Sequence, residues 1–423
     1  MNTRPATATG LPTRKAALRM LDAVMRTGQP LDQAAIPATK WLEPSDRALA
    51  IAIAQEALRW TADFDLLIDS QTRLPLAEDA KARMVLRMAL AQMLRLGTPP
   101  HAVIATSLPL LEGGPRRLVH GVLSSLWRLQ PQLAEHPTLP PAAAIRWQKA
   151  WGPEVVAAAG AAFAEPPMLD LALKDHDATD KWVEILGGTS LAPGHIRLPR
   201  GKAIETLDGY AEGDWWVQDL AASLPVRLLG EGHGRTVLDL CAAPGGKTMQ
   251  LAAAGWKVTA LDLSEKRMAI LEQNLARTGL DAKMVVADIR KWDGTAQYDA
   301  VLLDAPCSAT GTFRRHPDVL HRIGARQIDE LVPLQATLLD RAAQWVKPGG
   351  SLVYATCSQE PEEGEAQAEA FLGRHPEFAA APADTGLLAI GDNGAGQIRT
   401  LPGMLAEQGG LDGFFVAQFS KQT

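Results

Sequence analysis

The sequence predicts an all-α N-terminal domain followed by an α/β domain built on a parallel sheet. Three observations carry this reading. Apolar residues recur at helical spacing from about residue 12 to residue 130. After Gly213, short apolar runs alternate with helix-length segments, as a sheet covered by crossover helices requires. Four of those runs have an aspartate at or near their carboxyl ends: Asp239, Asp262, Asp288 and Asp304. In an open α/β sheet that edge is where ligands bind.

A length of 423 residues suggests about three domains. The expected boundaries are 1–135 for the helical domain, 136–210 for a linker and small α/β subdomain, and 211–423 for the large α/β domain. Hydrophobic content of 47% and charged content of 21% fit a globular protein with a sizeable core. The opening residues, MNTRPATATG, lack the apolar core of a secretory signal. No apolar run approaches the roughly 18 residues that a membrane span needs. The three cysteines lie far apart with no C-x-x-C pair, which argues against a zinc site and a disulfide framework. No metal, no membrane and a reducing cytoplasm are expected. Net charge is −6. That mildly opposes nucleic-acid binding, but a local basic face can still hold phosphates.

In the helical third, Thr13 is positioned to cap a helix with apolar residues Ala17, Met20, Leu21, Val24 and Met25. Ser45 opens a second, with an apolar run around Leu49–Leu58. Val85, Leu86, Ala89, Leu90, Met93 and Leu94 form a further stripe, as do Leu118, Val119, Val122, Leu123 and Leu126. The methionines in these stripes read as core filler. Arg14, Lys15, Arg19 and Arg26 fall on one side of the first helix, and Arg116 and Arg117 open the last. They make either a solvated face or a phosphate-binding one.

Pro131, Pro137, Pro140 and Pro141 mark residues 131–145 as a linker. Trp147–Ala164 reads as one helix, and Leu169 to about Leu207 as short strands and polar turns. Asp214–Leu229 leads into the α/β domain.

That domain opens with Val237–Thr248, VLDLCAAPGGKT. Val237–Leu240 reads as a buried strand, Gly245 and Gly246 as a turn, and Lys247–Ala254 as a helix start. Glycines admit a ligand close to the backbone, and a helix N-terminus offers free N–H groups. The Gly-Lys-Thr ending is not a phosphate-binding loop, because Cys241 stands where that motif needs glycine. Lys257–Leu261 is a second strand, and Asp262 after it suits a ribose diol about 20 residues beyond the turn. Asp262-Leu-Ser also precedes a helix, Glu265–Thr278, so capping and ligand roles can coexist. Ala282–Ala287, Ala300–Leu303 and Ser351–Ala355 are further strands. The last follows a helix, Ile328–Val346, and a Lys347-Pro-Gly-Gly turn.

Two cysteines reach the same edge. Asp304-Ala-Pro-Cys307 ends one strand and Ala355-Thr-Cys357-Ser ends the next. A single buried cysteine is usually inert, but two in equivalent places beside carboxylates suggest a site.

At these residues the chain acquires a family resemblance. DLCAAPGGKT, DAPCSATGTFRRHPD, YATCS and DGFF, in that order, resemble the Sun (nucleolar-protein) family of RNA cytosine-5 methyltransferases from about Gly213 onward. SDRALAIAIAQEALRW, LRMALAQMLRLGTPPHAVI and RRLVHGVLSSLWR resemble the RNA-binding NusB domain more diffusely. His120 departs from its usual Asn, and Pro109 interrupts a helical segment. The resemblance implies a NusB-like helical domain followed by a Rossmann-like, class I S-adenosylmethionine-dependent methyltransferase domain.

The implied activity is methylation of RNA cytosine C5, with small-subunit (16S) ribosomal RNA as substrate. By position, Cys241, Ala242, Ala243, Pro244, Gly245, Gly246 and Lys247 would line the cofactor's amino-acid end. Asp262 would take its ribose and Asp288 would lie by the adenine, with Asp304 between cofactor and base. Cys357 would be the nucleophile and Cys307 would assist release. Lys247 would act electrostatically on a thiol. Arg314, Arg315, Arg322 and Arg326 are candidate phosphate contacts, with Phe313 either a base-stacking residue or core. Phe414 and Phe415 read as sheet core after an Asp412-Gly413 hairpin turn.

Three alternatives stand beside this reading. The same chemistry can act on transfer RNA. A NusB-like module can hold RNA before a silent back end, although Cys357 and the glycine turn are both present. A protein or small-molecule methyltransferase would not need two thiols. Nothing in the sequence requires more than a monomer.

Overall fold

The computed structural model describes Gly10–Thr423, apart from residues 202, 385, 386, 388, 389, 392 and 393. The opening nine residues, where the absence of a signal was read, lie outside that range. The chain forms two compact units. One is Met1–Pro166 together with Phe313–Gly324; the other is Pro167–Thr312 together with Ala325–Thr423.

In the first unit, helices Leu11–Thr27, Pro44–Arg59, Lys81–Leu90 and Gly113–Leu129 bury their apolar stripes in one core. Met20, Leu21, Val24, Val85, Leu86, Met88, Leu90 and Leu123 are all at or near zero exposure. The stripes are thus legible, but two expected caps are not caps. Gly10 precedes the first helix, and Thr13 lies inside it, donating its hydroxyl to Asp46 at 2.9 Å. Pro44 opens the second, with Glu43 before it, so Ser45 is internal. Proline suits that first position because its missing N–H would have no intrahelical partner. Pro109 sits in a short 3₁₀ turn, Leu108–Leu110, where the preceding helix ends.

The proline-rich stretch ends earlier than expected, at Pro140. Two helices follow, Pro141–Trp151 and Pro153–Ala164. They are not one helix because Gly152 takes φ 87° and Pro153 cannot continue an i→i−4 ladder. Their buried Trp147 and Phe163 belong to the helical unit.

The second unit begins with a small antiparallel sheet of β1 (Leu169–Leu173), β2 (His195–Leu198) and β3 (Trp215–Val217), in the order β2-β1-β3. The large sheet contains β4 (Thr236–Leu240), β5 (Lys257–Asp262), β6 (Lys283–Val286), β7 (Tyr298–Asp304), β8 (Val346–Thr356), β9 (Phe378–Ala380), β10 (Gln397–Thr400) and β11 (Phe414–Lys421). Its order is β10-β11-β8-β7-β4-β5-β6, with β9 on β11.

The five strands β4–β8 are parallel, but β11 is antiparallel to β8, β9 and β10. The sheet is therefore mixed rather than parallel throughout. Lys347-Pro-Gly-Gly lies within the run of β8, where pairing with β7 shifts register. Asp412-Gly413 is not a hairpin turn. The chain from Leu401 to Gly413 joins β10 to β11 and includes a 3₁₀ turn, Ala406–Gln408.

Alternation along β4 and β7 explains why both faces are covered. Leu238, Leu240, Val301 and Leu303 pack on one face with Leu338 and Leu339 of helix Ala325–Gln344. Val237, Ala300 and Leu302 pack on the other with Ala221 and Leu224 of helix Leu220–Leu229. Each fully buried leucine contributes about 2 kcal/mol of transfer free energy. The chain reverses its direction across the sheet between β4 and β7, which opens a crevice at their carboxyl ends.

Candidate active site

The crevice holds a cavity of about 490 Å³, in the range of small-molecule sites. Cys241, Asp262, Asp288, Asp304, Cys307 and Cys357 all line it, together with Leu263, Ile289, Leu334 and Leu338. Three of the four strand-end aspartates and both strand-end thiols thus meet at one place, whereas Asp239 is buried and, of Cys241–Lys247, only Cys241 lines the cavity.

The loop after β4 is built by close packing. Gly245 has φ 110°, and a Cβ there would lie 2.2 Å from Leu271 Cδ1, so only glycine fits. Helix Gly246–Ala253 starts immediately afterwards. Cys241 itself has φ 60°, an uncommon backbone conformation for a residue with a side chain. Burial, with nearby Asp304 and Asp262, pushes its thiol pKa upward, as expected of an unreactive cysteine. Asp239 is buried on β4 and accepts the Thr248 hydroxyl at 2.6 Å. Burial raises its pKa to about 7.

Asp262 ends β5. Its Oδ2 accepts the Ala243 N–H at 3.2 Å, and its Oδ1 accepts the Ser264 N–H at 2.9 Å. Ser264, rather than Asp262, caps the next helix by accepting Arg267 N–H at 3.3 Å. Arg267 lies 3.4 Å from Asp262 and also donates to the Ala243 carbonyl. Asp288 is held by the Arg290 guanidinium at 3.0 and 2.7 Å, and those hydrogen bonds keep its pKa near 2. Sequence reasoning missed Arg267 and Arg290. Nothing separates them from other helix or loop arginines until the pocket is seen.

Asp304 ends β7, and its Oδ2 receives Lys247 Nζ at 2.7 Å. Burial works against the Lys247 ammonium, but Asp304 outweighs it and the lysine pKa is raised. The ammonium also lies 5.1 Å above the Phe414 ring. Phe414 and Phe415 are buried, as sheet-core residues should be.

The thiols meet where the parallel strands β7 and β8 end. Cys307 Sγ and Cys357 Sγ are 3.5 Å apart, and both are free cysteines. Pairing of Asp304 with Ala355 sets the strand ends level, and Ala305 N–H donates to Ala355 O at 2.9 Å. The Cys307 pKa is pushed well up by its hydrogen bond to Cys357 and by burial. Either sulfur can donate to the other. The Cys357 carbonyl is fixed by Gly311 N–H at 3.0 Å; a Cβ on Gly311 would fall 1.9 Å from Gly413 O.

The RNA candidates are rearranged. Phe313 is fully buried, its ring 5.3 Å from Trp147 and 5.8 Å from Phe163, so it is core and has no face for a base. Arg314 is also buried, and its carbonyl accepts Arg59 Nη2 at 2.7 Å, which corrects its reading as a phosphate contact. Arg322 pairs with Asp318 and Arg326 with Glu330, each at 2.8 Å. Arg315 is half-buried. Arg14, assigned to a basic face, is buried and donates to Gln92 at 2.8 Å, whereas Lys15, Arg19, Arg116 and Arg117 are exposed.

The parallel strands, the reversal at β4/β7 and the acid-lined crevice define a Rossmann-like methyltransferase domain. The donor set fits S-adenosylmethionine. Carboxylates can accept from its hydroxyl and ammonium groups, and Leu263, Ile289, Leu334 and Leu338 offer apolar walls for a flat base.

Comparison with known proteins then fixes the family. A model described as 16S rRNA methyltransferase RsmB/F matches residues 226–420, and a NusB family model matches residues 11–128. Ribosomal RNA small subunit methyltransferase B of Klebsiella pneumoniae (strain 342) is 35% identical over 97% of this chain and 98% of its own. The crystal structure of PH0851 superposes with a TM-score of 0.75 at 24% identity, covering 96% of this chain and 99% of that one. NSun6 from Pyrococcus horikoshii gives 0.60 at 19%, covering 68% and 99%. The chain belongs to the ribosomal RNA small subunit methyltransferase B family, and S-adenosylmethionine is its cofactor. It is an RNA methyltransferase with a NusB-family domain in front. Among the described residues, no helix is long and apolar enough to cross a membrane.

Proposed function

We propose that this protein methylates C5 of a cytosine in small-subunit (16S) ribosomal RNA through a covalent bond between Cys357 and cytosine C6. The supporting observation is the 3.5 Å approach of two thiols at the rim of the cofactor crevice. Methyl transfer to nitrogen or oxygen has no use for such a pair. Relatives named as small-subunit rRNA methyltransferases support the substrate.

Cytosine C5 is a poor nucleophile. Addition of the Cys357 thiolate at C6 moves electron density onto C5, which then attacks a methyl group. S-adenosylmethionine would supply that methyl group as an electrophilic sulfonium, its sulfur keeping the electron pair of the broken S–CH3 bond as a neutral thioether. As electron density reaches the ring, N3 takes up a proton, and the N3–H donates to Asp304, which Lys247 holds in place at 2.7 Å. Cys307 then takes the C5 proton, the electron pair re-forms the C5–C6 double bond, and Cys357 leaves as thiolate. Cys307 must first have passed its own proton to bulk solvent, so its raised pKa makes this step sensitive to pH. Cys241–Lys247 hold the cofactor's amino-acid end, Asp262 its ribose and Asp288 the adenine side. The helical domain, expected over 1–135, captures RNA, and the large α/β domain, expected over 211–423, carries out the chemistry. A helical target must be unstacked to present the base.

The test is adduct trapping. Cys307→Ala should accumulate a covalent protein–RNA species resistant to denaturing electrophoresis, whereas Cys357→Ala should form none. The opposite pattern exchanges the two roles, and no adduct from either variant overturns the covalent mechanism.

A further inference from the structure

A buried carboxylate that the chemistry above does not use lies beneath both thiols. Glu363 is fully buried. Its Oε1 accepts the Ser308 N–H at 2.9 Å and Gln335 Nε2 at 2.8 Å. Its Oε2 accepts the Ser308 hydroxyl and, at 2.6 Å, the Ser358 hydroxyl. Ser308 follows Cys307 in the chain, and Ser358 follows Cys357. One carboxylate therefore grips both cysteine loops at the residue next to each sulfur. Its own backbone is pinned in turn, because the Tyr354 hydroxyl of β8 donates to the Glu363 carbonyl at 2.8 Å.

We propose that Glu363 is the positioning residue that sets the Cys307–Cys357 separation, holding the nucleophile's loop and the release residue's loop at one fixed spacing. Four hydrogen bonds converge on two oxygens whose lone pairs can accept all four. Satisfied buried networks of this kind impose one geometry, because any displacement leaves a buried polar atom without a partner. The strands alone do not achieve this. Strand pairing between β7 and β8 ends at Asp304–Ala355, just before both sulfurs. Beyond it the Gly311 N–H on the Cys357 carbonyl and a 3.0 Å contact between the Ser308 and Ser358 hydroxyls join the loops, and the Glu363 carboxylate binds both of those serines at once. The proposal rests on the two-thiol reading of the site, but its first test does not.

The test measures thiol spacing without RNA. The full-length protein is treated with diamide, which takes two electrons from a pair of thiols, and formation of the Cys307–Cys357 cross-link is timed by peptide mass spectrometry. Three variants separate reach from charge. Glu363→Asp keeps the carboxylate but is one methylene too short to span both loops. Glu363→Gln keeps the reach, with its oxygen accepting Ser308 N–H and Gln335, and its amide donating to the serine hydroxyls. Glu363→Ala removes the group. Melting temperature and S-adenosylmethionine binding report whether each variant is folded.

Cross-linking should slow by roughly tenfold to a hundredfold in E363D and E363A, the loss expected from one or two charged hydrogen bonds. E363Q should stay within about threefold of wild type. In turnover, E363D should lose kcat with KM for RNA unchanged, and E363Q should recover it. If E363A does not fold, the folded E363D and E363Q pair decides the matter. Equal cross-linking in E363D and wild type overturns the proposal. Slowed cross-linking with undiminished kcat upholds the spacing role and overturns the two-thiol mechanism instead.

Discussion

Acidification should loosen the helical unit through one imidazole. His321 lies on the short helix Val319–Arg322, and its Nε2–H donates to the Leu58 carbonyl at 2.8 Å. Burial lowers its pKa to about 4 from an ordinary 6.5, and the nearby Arg87 charge acts in the same direction. The hydrogen bond to the Leu58 carbonyl opposes this, as do Asp318 and Asp65, but together they do not outweigh it. The sign follows from proton uptake. Between pH 6.5 and 4 the unfolded chain binds a proton here that the folded one refuses. The stabilisation is whole above pH 6.5 and is lost as pH falls towards 4. The two values imply a full effect of about 3 kcal/mol, and about 1–2 kcal/mol at pH 5 once the ring's partial exposure is allowed for. His321→Gln keeps a donor for Leu58 and cannot titrate. Urea unfolding at pH 7.5 and pH 5, followed by fluorescence of the buried Trp60 and Trp147, should show a larger acid loss in wild type than in H321Q. Other groups that titrate in this range, His316 among them, cancel in the difference. Parallel losses in the two proteins would refute the reasoning.

Four further outcomes are expected. Asp262→Asn should weaken S-adenosylmethionine binding by roughly tenfold to a hundredfold, the worth of a charged hydrogen bond, in titration calorimetry; unchanged affinity would remove Asp262 from the cofactor site. Phe313→Ala should destabilise the helical unit by about 3–5 kcal/mol. Arg314→Ala should likewise lower stability while leaving the salt dependence of RNA binding unaltered; a slope reduced by about one would make Arg314 a phosphate contact after all. Decay of the covalent adduct should accelerate with pH past the ordinary thiol value of 9.0, because burial still raises the Cys307 thiol once Cys357 is bonded to the base. A plateau below that value would assign the release step to another base.

The cavity-lined edge of the sheet was readable in the sequence because strand ends carry their own punctuation. Val237–Leu240 and Ala300–Leu303 are short apolar runs with an aspartate in or just after them, and a parallel sheet brings such ends together by necessity. Helix Glu265–Thr278 was legible to the residue, since Ser264 before it and Gly279 after it are strong end signals. The roles of Phe313 and Arg314 were not. A Phe-Arg-Arg run looks alike on a surface and in a core, and only Trp147, Phe163 and Arg59, far away in sequence, make it interior. Thr13 failed as a cap for a related reason: its partner Asp46 is remote, and local rules see only neighbours. Glu363 carried no signal at all among the acidic residues around it, because its function depends on two serines brought together from different strand ends.

The central claim is that this chain places 5-methylcytosine in small-subunit ribosomal RNA by way of Cys357. Bisulfite mapping of total RNA from a deletion strain and its parent tests it most directly. The account predicts loss of a site in small-subunit ribosomal RNA, restored by the intact gene and not by Cys357→Ala. Loss confined to transfer RNA, or full restoration by Cys357→Ala, would contradict it.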